Sequence, residues 1–390
     1  MGKKWIEFFK KEAVLSIAMV LALVSSVVIL PDREYLGYID FRTLGILFCL
    51  MAVMAGLQKI GLFTRIAQGL LRRVKSVRML VLILILLCFF FSMVITNDVA
   101  LITFVPLTFI VLGMMGEEWR KRLSVPVVVM QTIAANLGSM LTPIGNPQNL
   151  YLYGKSGMGL GEFVLLMLPY TVISLILLGL WCMSQKSERI EGLVLGEARQ
   201  DKDKTVSETE KSSGFSGFYR RSGALAVYLI LFVLCILTVA RILPYGITLA
   251  VVIAAVFCLD RKVLGQVDYG LLLTFVGFFV FIGNMGRIPA FRSFLESIIL
   301  GNEVLTAVLS SQVISNVPAA LLLSGFTENY EALIIGTNLG GLGTLIASMA
   351  SLISFKYLGK EDKGAKKKYL IYFTLANLTF LAVLLVFWVL

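Results

Sequence analysis

The residues here with the most chemistry to offer are amides, hydroxyls and one acid, set inside apolar runs. They fall in four stretches: "ITNDVA" (95–100), "GSMLTPIGNPQNLYLY" (138–153), "ISNVPA" (314–319) and "GTNLGGLGTLIAS" (336–348). Carboxamide, hydroxyl and backbone oxygens suit hard cations such as Na⁺, whereas helix N-termini and hydroxyls suit anions. Covalent catalysis lacks its parts. The chain has no histidine, which removes Ser-His-Asp and Cys-His catalysis, HExxH zinc sites and histidine proton relays. Its five cysteines, Cys49, Cys88, Cys182, Cys235 and Cys258, lie apart with no CxxC spacing, so neither a disulfide frame nor a metal cluster is expected. "GMGLG" (157–161) lacks a surrounding βαβ unit and reads as a turn rather than a nucleotide loop. Binding without an enzymatic step and without a cofactor is the expectation.

These stretches sit in a chain that is 58% hydrophobic, above the roughly half expected of a soluble domain. Apolar runs of about 20 residues, enough to cross a ~30 Å hydrocarbon layer as helices, recur along it. No alternating barrel pattern appears. The fold class is an all-α polytopic membrane protein in a bilayer, here the cell inner (plasma) membrane. The net charge of +11 comes from Lys and Arg at the ends of apolar runs, which indicates topology rather than nucleic-acid binding. The first apolar run follows a basic start and precedes no small-residue cleavage pattern, so it reads as a retained span.

Full spans are expected at 13–30, 41–58, 124–150, 163–184, 222–241, 245–259, 268–286, 330–355 and 370–389, nine in all. Two further segments, 79–115 and 303–326, are interrupted by polar tips and read as re-entrant hairpins. Lys3, Lys4, Lys10 and Lys11, the group from Lys59 to Arg78, Arg120 to Arg122, and Lys356 to Lys368 then face the cytoplasm. The N-terminus is cytoplasmic and the C-terminus outside. Three regions follow: 1–186, a first span plus an N-terminal repeat with hairpin 79–115 and broken helix 124–150; 187–221, a polar cytoplasmic linker; and 222–390, a second repeat with hairpin 303–326 and broken helix 330–355.

The repeat is visible without gaps. "DFRTLGILFCLMAVMAGLQKIGLF" (40–63) over "DYGLLLTFVGFFVFIGNMGRIPAF" (268–291) pairs Asp40 with Asp268 and Lys59 with Arg287. Thr96-Asn97 then pairs with Ser315-Asn316, and "AANLGSMLTPIGN" (134–146) with "GTNLGGLGTLIAS", matching Asn136 with Asn338, Gly138 with Gly340 and Thr142 with Thr344. Five crossings separate residue 40 from 268, so the second copy enters from the opposite face, as in many secondary transporters. Non-helical backbone at membrane depth survives only where protein or a water-filled cavity satisfies it. The Gly- and Pro-rich stretches therefore read as broken helices whose freed groups, with the hairpin tips, line a central site. Thr96, Asn97, Asn146, Gln148, Ser315, Asn316 and Thr344 are its candidate substrate-binding residues.

"TNDVALITFVPL", "GSMLTPIGNPQNLYLY", "SNVPAALLLSGF" and "GTNLGGLGTLIAS" resemble the ion transporter superfamily, in particular the citrate-transporter-like permeases. That group includes divalent anion:sodium symporters, arsenite permeases and a class of Na⁺/H⁺ antiporters. The resemblance, from about residue 40 to the end, implies a homodimer with a scaffold part and a transport part that moves as an elevator. It also implies cation sites drawn from Asn97, Asp98 and Gly138 in one repeat and Ser315, Asn316, Thr337 and Asn338 in the other. The helix "GLFTRIAQGLLRRVKSVR" (61–78), with Leu62, Ile66, Leu70 and Val74 on one face, is a candidate interfacial arm. Sodium symporters of this group carry Ser-Asn-Thr at both tips. Here the tips read Thr96-Asn97-Asp98 and Ser315-Asn316-Val317, a departure that counts against a two-sodium dicarboxylate mechanism.

Asp98 is the acid set deep in an apolar run. A charge there costs at least ~2.5 kcal/mol on the insertion scale, so it must be hydrated, paired or protonated. It reads either as a proton-coupling group or as the N-cap of the helix that follows. The functional expectation is a transporter of a small anion, a carboxylate or inorganic oxyanion, with Na⁺ or H⁺ as the coupling cation. The alternative is a Na⁺/H⁺ antiporter or arsenite exporter of the same fold.

Overall fold

The computed structural model describes residues 13–189 and 214–390, and among them the chain is helical, with one isolated antiparallel bridge between Ser76 and Arg189. Lys3 to Lys11 and most of the expected linker lie outside the described residues. The chain is a polytopic all-α membrane protein. Its helices are α1 (Ala13–Val28), α2 (Tyr35–Tyr38), α3 (Phe41–Ile60), α4 (Leu62–Leu71), α5 (Val77–Ile95), α6 (Asn97–Met114), α7 (Glu117–Ser139), α8 (Pro147–Ser156) and α9 (Leu160–Met183). The second half adds α10 (Gly214–Val239), α11 (Tyr245–Asp260), α12 (Tyr269–Gly286), α13 (Pro289–Ile299), α14 (Glu303–Ile314), α15 (Asn316–Leu323), α16 (Tyr330–Leu339), α17 (Met349–Glu361) and α18 (Lys366–Val389). By length and composition, α3, α5, α6, α9, α12 and α18 are long and apolar enough to cross a membrane.

Two packed groups emerge. In the first, α1 lies against α12, and α3 against α10 and α11. In the second, α7 is the hub: α5, α6, α9 and α18 pack on it, and its residues from Leu123 to Ser139 are almost all buried. A helix buried on every side makes a rigid centre. The groups meet where α15 lies on α12 and α8 on α3, with the Tyr151 ring 5.6 Å from Phe279 and 6.2 Å from Phe275. Two short helices join them covalently, α4 between α3 and α5, and α13 between α12 and α14, with a 109° bend from α13 into α14.

Local chemistry explains the boundaries. Asp40 and Asp268 cap α3 and α12, accepting the amides of Thr43 and Leu271. Gly61 ends α3 at φ 78°, a left-handed turn that turns the chain into α4. The sequence pattern predicts no element over 289–299. There Arg292 and Glu296 form an i,i+4 ion pair on α13, while Phe294 and Ile298 stay exposed. On α4 the packed face is Phe63, Ala67 and Leu71, and the expected apolar stripe turns outward at Ile66 and Leu70. The aligned positions on both connecting helices thus present aliphatic or aromatic side chains outward.

The broken segments stop and restart where their polar residues cluster: α7 ends at Ser139 and α8 begins at Pro147, while α16 ends at Leu339 and α17 begins at Met349. The hairpins differ in length. Helices α5 and α6 have 19 and 18 residues, about 28 Å each, whereas α14 and α15 have 12 and 8, about 18 and 12 Å.

Candidate functional site

The site is built from two tips and two breaks. At the first tip Thr96 adopts φ 71°, ψ 151°; at the second Ser315 adopts φ 76°, ψ 153°. This region is almost closed to residues with a Cβ and costs roughly 1–3 kcal/mol each, so something must hold it. The next amide does. Asn97 N–H donates to the Gly145 carbonyl at 3.2 Å, and Asn316 N–H to the Ala347 carbonyl at 2.9 Å. Each tip is fastened to the break of its own half, at residues that the sequence alignment pairs.

Close approach sets the rest of the frame. A Cβ on Gly138 would stand 2.0 Å from the Phe89 carbonyl oxygen and 2.6 Å from Ser92 Oγ; one on Gly340 would stand 2.6 Å from Ser311 Oγ. Thr142 Oγ1 donates to the Met93 carbonyl, and Thr344 Oγ1 to the Gln312 carbonyl. Counting back from the tips aligns Ser92 with Ser311 and Met93 with Gln312, so these contacts correspond as well. Extending the alignment backwards from Asp40 and Asp268 pairs Asp32 with Asp260, and the ion pairs then prove reciprocal: Lys59 holds Asp260, and Arg287 holds Asp32.

Amides bridge the halves. Asn97 Nδ2 and Ser348 Oγ both donate to Asn136 Oδ1, at 3.1 and 3.0 Å. Asn338 Nδ2 donates to Asn149 Oδ1 at 2.7 Å, and Asn146 Nδ2 to Ser139 Oγ at 2.6 Å. Around this network four helices begin, α6, α8, α15 and α17, and in none does the N-cap residue cap the helix with its side chain, although Asn97 Oδ1 accepts from the Asp98 amide in α6. Helices α3, α5, α12 and α16 do have such caps, whereas α4, α7, α11, α13, α14 and α18 lack them as well. Four buried polar atoms in the region also lack partners: Asp98 Oδ1, Gln148 Oε1 and Nε2, and Asn338 Oδ1. Among the described residues the other orphaned atoms lie on Tyr228, Asn284 and Asn377, in α10, α12 and α18.

The candidate residues separate accordingly. Asn97, Asn146 and Asn338 join the amide network. Ser315 and Asn316 form the second tip, where Ser315 Oγ reaches the Ala347 carbonyl at 3.4 Å. Gln148 is buried with a free amide, and Gly138 acts as the close-packing point of α7 on α5. Thr337 donates to the Leu333 carbonyl of its own helix. Thr344 is exposed and bound to Gln312, away from the network. Asp98 is not an N-cap: α6 starts at Asn97, Thr96 occupies the cap position, and the Asp98 amide donates to Asn97 Oδ1 at 2.9 Å. The sequence pattern alone does not single out Asn136, Asn149 or Ser348. The alignment held the signal, because it pairs Asn146 with Ser348 and, continued three residues, Asn149 with Ser351.

Against known proteins, the family model described as "Citrate transporter" matches residues 5–331. An uncharacterized transporter of Methanocaldococcus jannaschii is 31% identical over 347 residues, 88% of this chain and 87% of that protein. An inner membrane protein of Escherichia coli is 31% identical over 330 residues, covering 83% and 82%. A shorter match, 34% over 142 residues or 36% of this chain and 28% of the other, is to a silicon efflux transporter of Oryza sativa.

Proposed function

The chain belongs to the citrate transporter family, and from that membership we propose that this membrane transporter moves a small anion, a carboxylate or an inorganic oxyanion, coupled to Na⁺ or H⁺. The observation that carries the anion is the convergence of four helix N-termini, none capped by the side chain of its N-cap residue, on the region of the buried amide network. First-turn amides and the positive ends of helix dipoles suit an anion without any basic side chain, although the Asn97, Asp98 and Asn316 amides already donate within the protein. The cation reading rests on oxygen. Leaving a buried polar atom unpaired costs about 1–3 kcal/mol, and Asp98 Oδ1, Gln148 Oε1 and Asn338 Oδ1 are all left so; a hard cation accepts such ligands.

The reciprocal ion pairs and the matched tips support an inverted repeat with a two-fold axis in the membrane plane. The division into two packed groups joined by α4 and α13 supports an elevator, in which the α7-centred group, with both tips, slides past the α3–α12 group. The homodimer extends this reading from family likeness, the nine full spans from the apolar runs and the outside C-terminus from loop charge, with the inner membrane as the proposed location.

A second reading, a Na⁺/H⁺ antiporter or arsenite exporter, is favoured by one feature: Asp98, whose free carboxylate oxygen has no counterpart at Val317. Proteoliposomes separate the two. Uptake of citrate, succinate, sulfate or arsenite driven by a Na⁺ or H⁺ gradient is the expected result; the plant relative adds silicon to the substrates for assay. Na⁺-driven pH change with no dependence on any anion would select the antiporter. Asn97→Ala and Asn338→Ala should each raise the Na⁺ concentration for half-activation about tenfold or more, the cost of one lost amide ligand. Unchanged Na⁺ activation in both would assign these amides to packing.

A further inference from the structure

We propose that the groove along the N-terminal half of α18 binds an anionic phospholipid. The groove has a volume of about 450 Å³ and is lined by Lys367, Lys368, Ile371, Tyr372 and Leu375. Lys367, Ile371 and Leu375 follow at i, i+4 spacing and so share one strip of helix surface. Ile371 is 54% exposed and Leu375 63%, and they lie about 6 and 12 Å along the helix from the lysine. A cation at one end with aliphatic side chains beyond it matches a phosphodiester headgroup with its acyl chains.

Two independent observations fix the level and the sign. The Tyr372 hydroxyl accepts from Trp181 Nε1 on α9 at 3.0 Å, a Trp–Tyr pair of the kind that sits at the headgroup boundary. Some basic side chains elsewhere are neutralised by protein carboxylates, Lys59 by Asp260, Arg120 by Glu361 and Arg122 by Glu188. Neither Lys367 nor Lys368 has a carboxylate partner among the described residues, so their charge is available to a ligand. Free phosphate would engage the lysines and leave the aliphatic strip unused. A zwitterionic lipid would fill the strip and gain little from the lysines. The site stands whether the transported ion is an anion or a cation.

The test uses the full chain, purified and stripped of lipid in a neutral detergent, with thermal unfolding as the readout. Phosphatidylglycerol should raise the unfolding temperature, while phosphatidylcholine and inorganic phosphate should not. K367Q/K368Q should weaken the phosphatidylglycerol effect about thirtyfold in concentration, the share expected of two lysines at a charged membrane surface. K360Q/K363Q, which removes two charges outside the groove, should leave it unchanged. Both groove lysines are exposed, so the lipid-free double variant should unfold as the wild type does. Equal weakening in the two double variants, or a shift reproduced by phosphatidylcholine or by phosphate alone, would overturn the proposal.

Discussion

The two hairpin tips share a backbone and a hydroxyl–asparagine pair, and differ in the residues beside them. Thr96 and Ser315 hold the same disfavoured dihedrals, and each passes its neighbour's amide to the break of its own half. Yet the first tip bonds Asn97 to Asn136 within its half, whereas Asn338 of the second half reaches across to Asn149. Asp98 stands where the second tip has Val317, and Met93 where it has Gln312. A common frame positions the site, and divergent side chains divide the chemistry. That division predicts asymmetric responses to symmetric substitutions.

The largest effect should come from the close-packing glycines. Gly138→Ala drives a Cβ into a backbone carbonyl, which cannot rotate away, and should cost more than about 3 kcal/mol. Gly340→Ala meets the Ser311 hydroxyl at 2.6 Å and the Gly336 carbonyl at 2.8 Å, a looser backbone approach than at Gly138, and should cost about 1–3 kcal/mol. Thermal unfolding in detergent ranks them, and equal losses would dissolve the distinction. Next comes Gln312, whose amide donates to the Gly340 and Leu342 carbonyls and accepts from Thr344 N–H. Gln312→Met gives the second tip the residue of the first and should destabilise by about 2–3 kcal/mol, at ~1 kcal/mol per bond. No loss would mean that the second break holds its shape unaided.

Asp98→Asn sharpens the comparison on the functional side. The substitution keeps size and one oxygen while removing the ionisable proton, and Asp98 Oδ1 has no partner to lose. Stability should change little, and transport measured across pH should lose the wild type's pH dependence. A well-folded Asp98→Asn protein with the wild-type profile would leave Na⁺ as the sole coupling ion.

The breaks were legible because Gly, Pro and Asn cannot continue an apolar helix unnoticed, and the tips because a polar pair interrupts each run. Helix α13 was not, since "PAFRSFLESII" mixes charge and apolar residues over a length too short to span. The network role of Asn136 was hidden for another reason. A lone amide in an apolar helix carries no geometry, and its partner Ser348 lies 212 residues away. Reciprocity of the ion pairs was equally silent, because Lys59 and Asp260 are 201 residues apart and each sits among other charges.

Those ion pairs should give the smallest effects and the finest test of two-fold equivalence. All four side chains are about one-third exposed or more, so solvent screens the attraction and each pair contributes little. In both pairs the hydrogen bond from the basic side chain is the main reason the carboxylate is held below its ordinary range: Arg287 for Asp32, Lys59 for Asp260. A carboxylate so lowered adds stability in full above its unfolded pKa, about 3.9, and loses it as pH falls through the folded value. Lys59→Gln and Arg287→Gln should therefore unfold slightly below wild type between pH 6 and 8, and that gap should close on acidification below about pH 4. Arg287→Gln should show the larger gap, since Arg287 also donates to Tyr38 and approaches Glu34 at 3.5 Å. With the pairs built from different residues, the double variant should lose the sum of the two. A gap that widens as pH falls would show that these residues stabilise the chain by something other than their mutual pairing, and the reciprocity would then lose its energetic meaning.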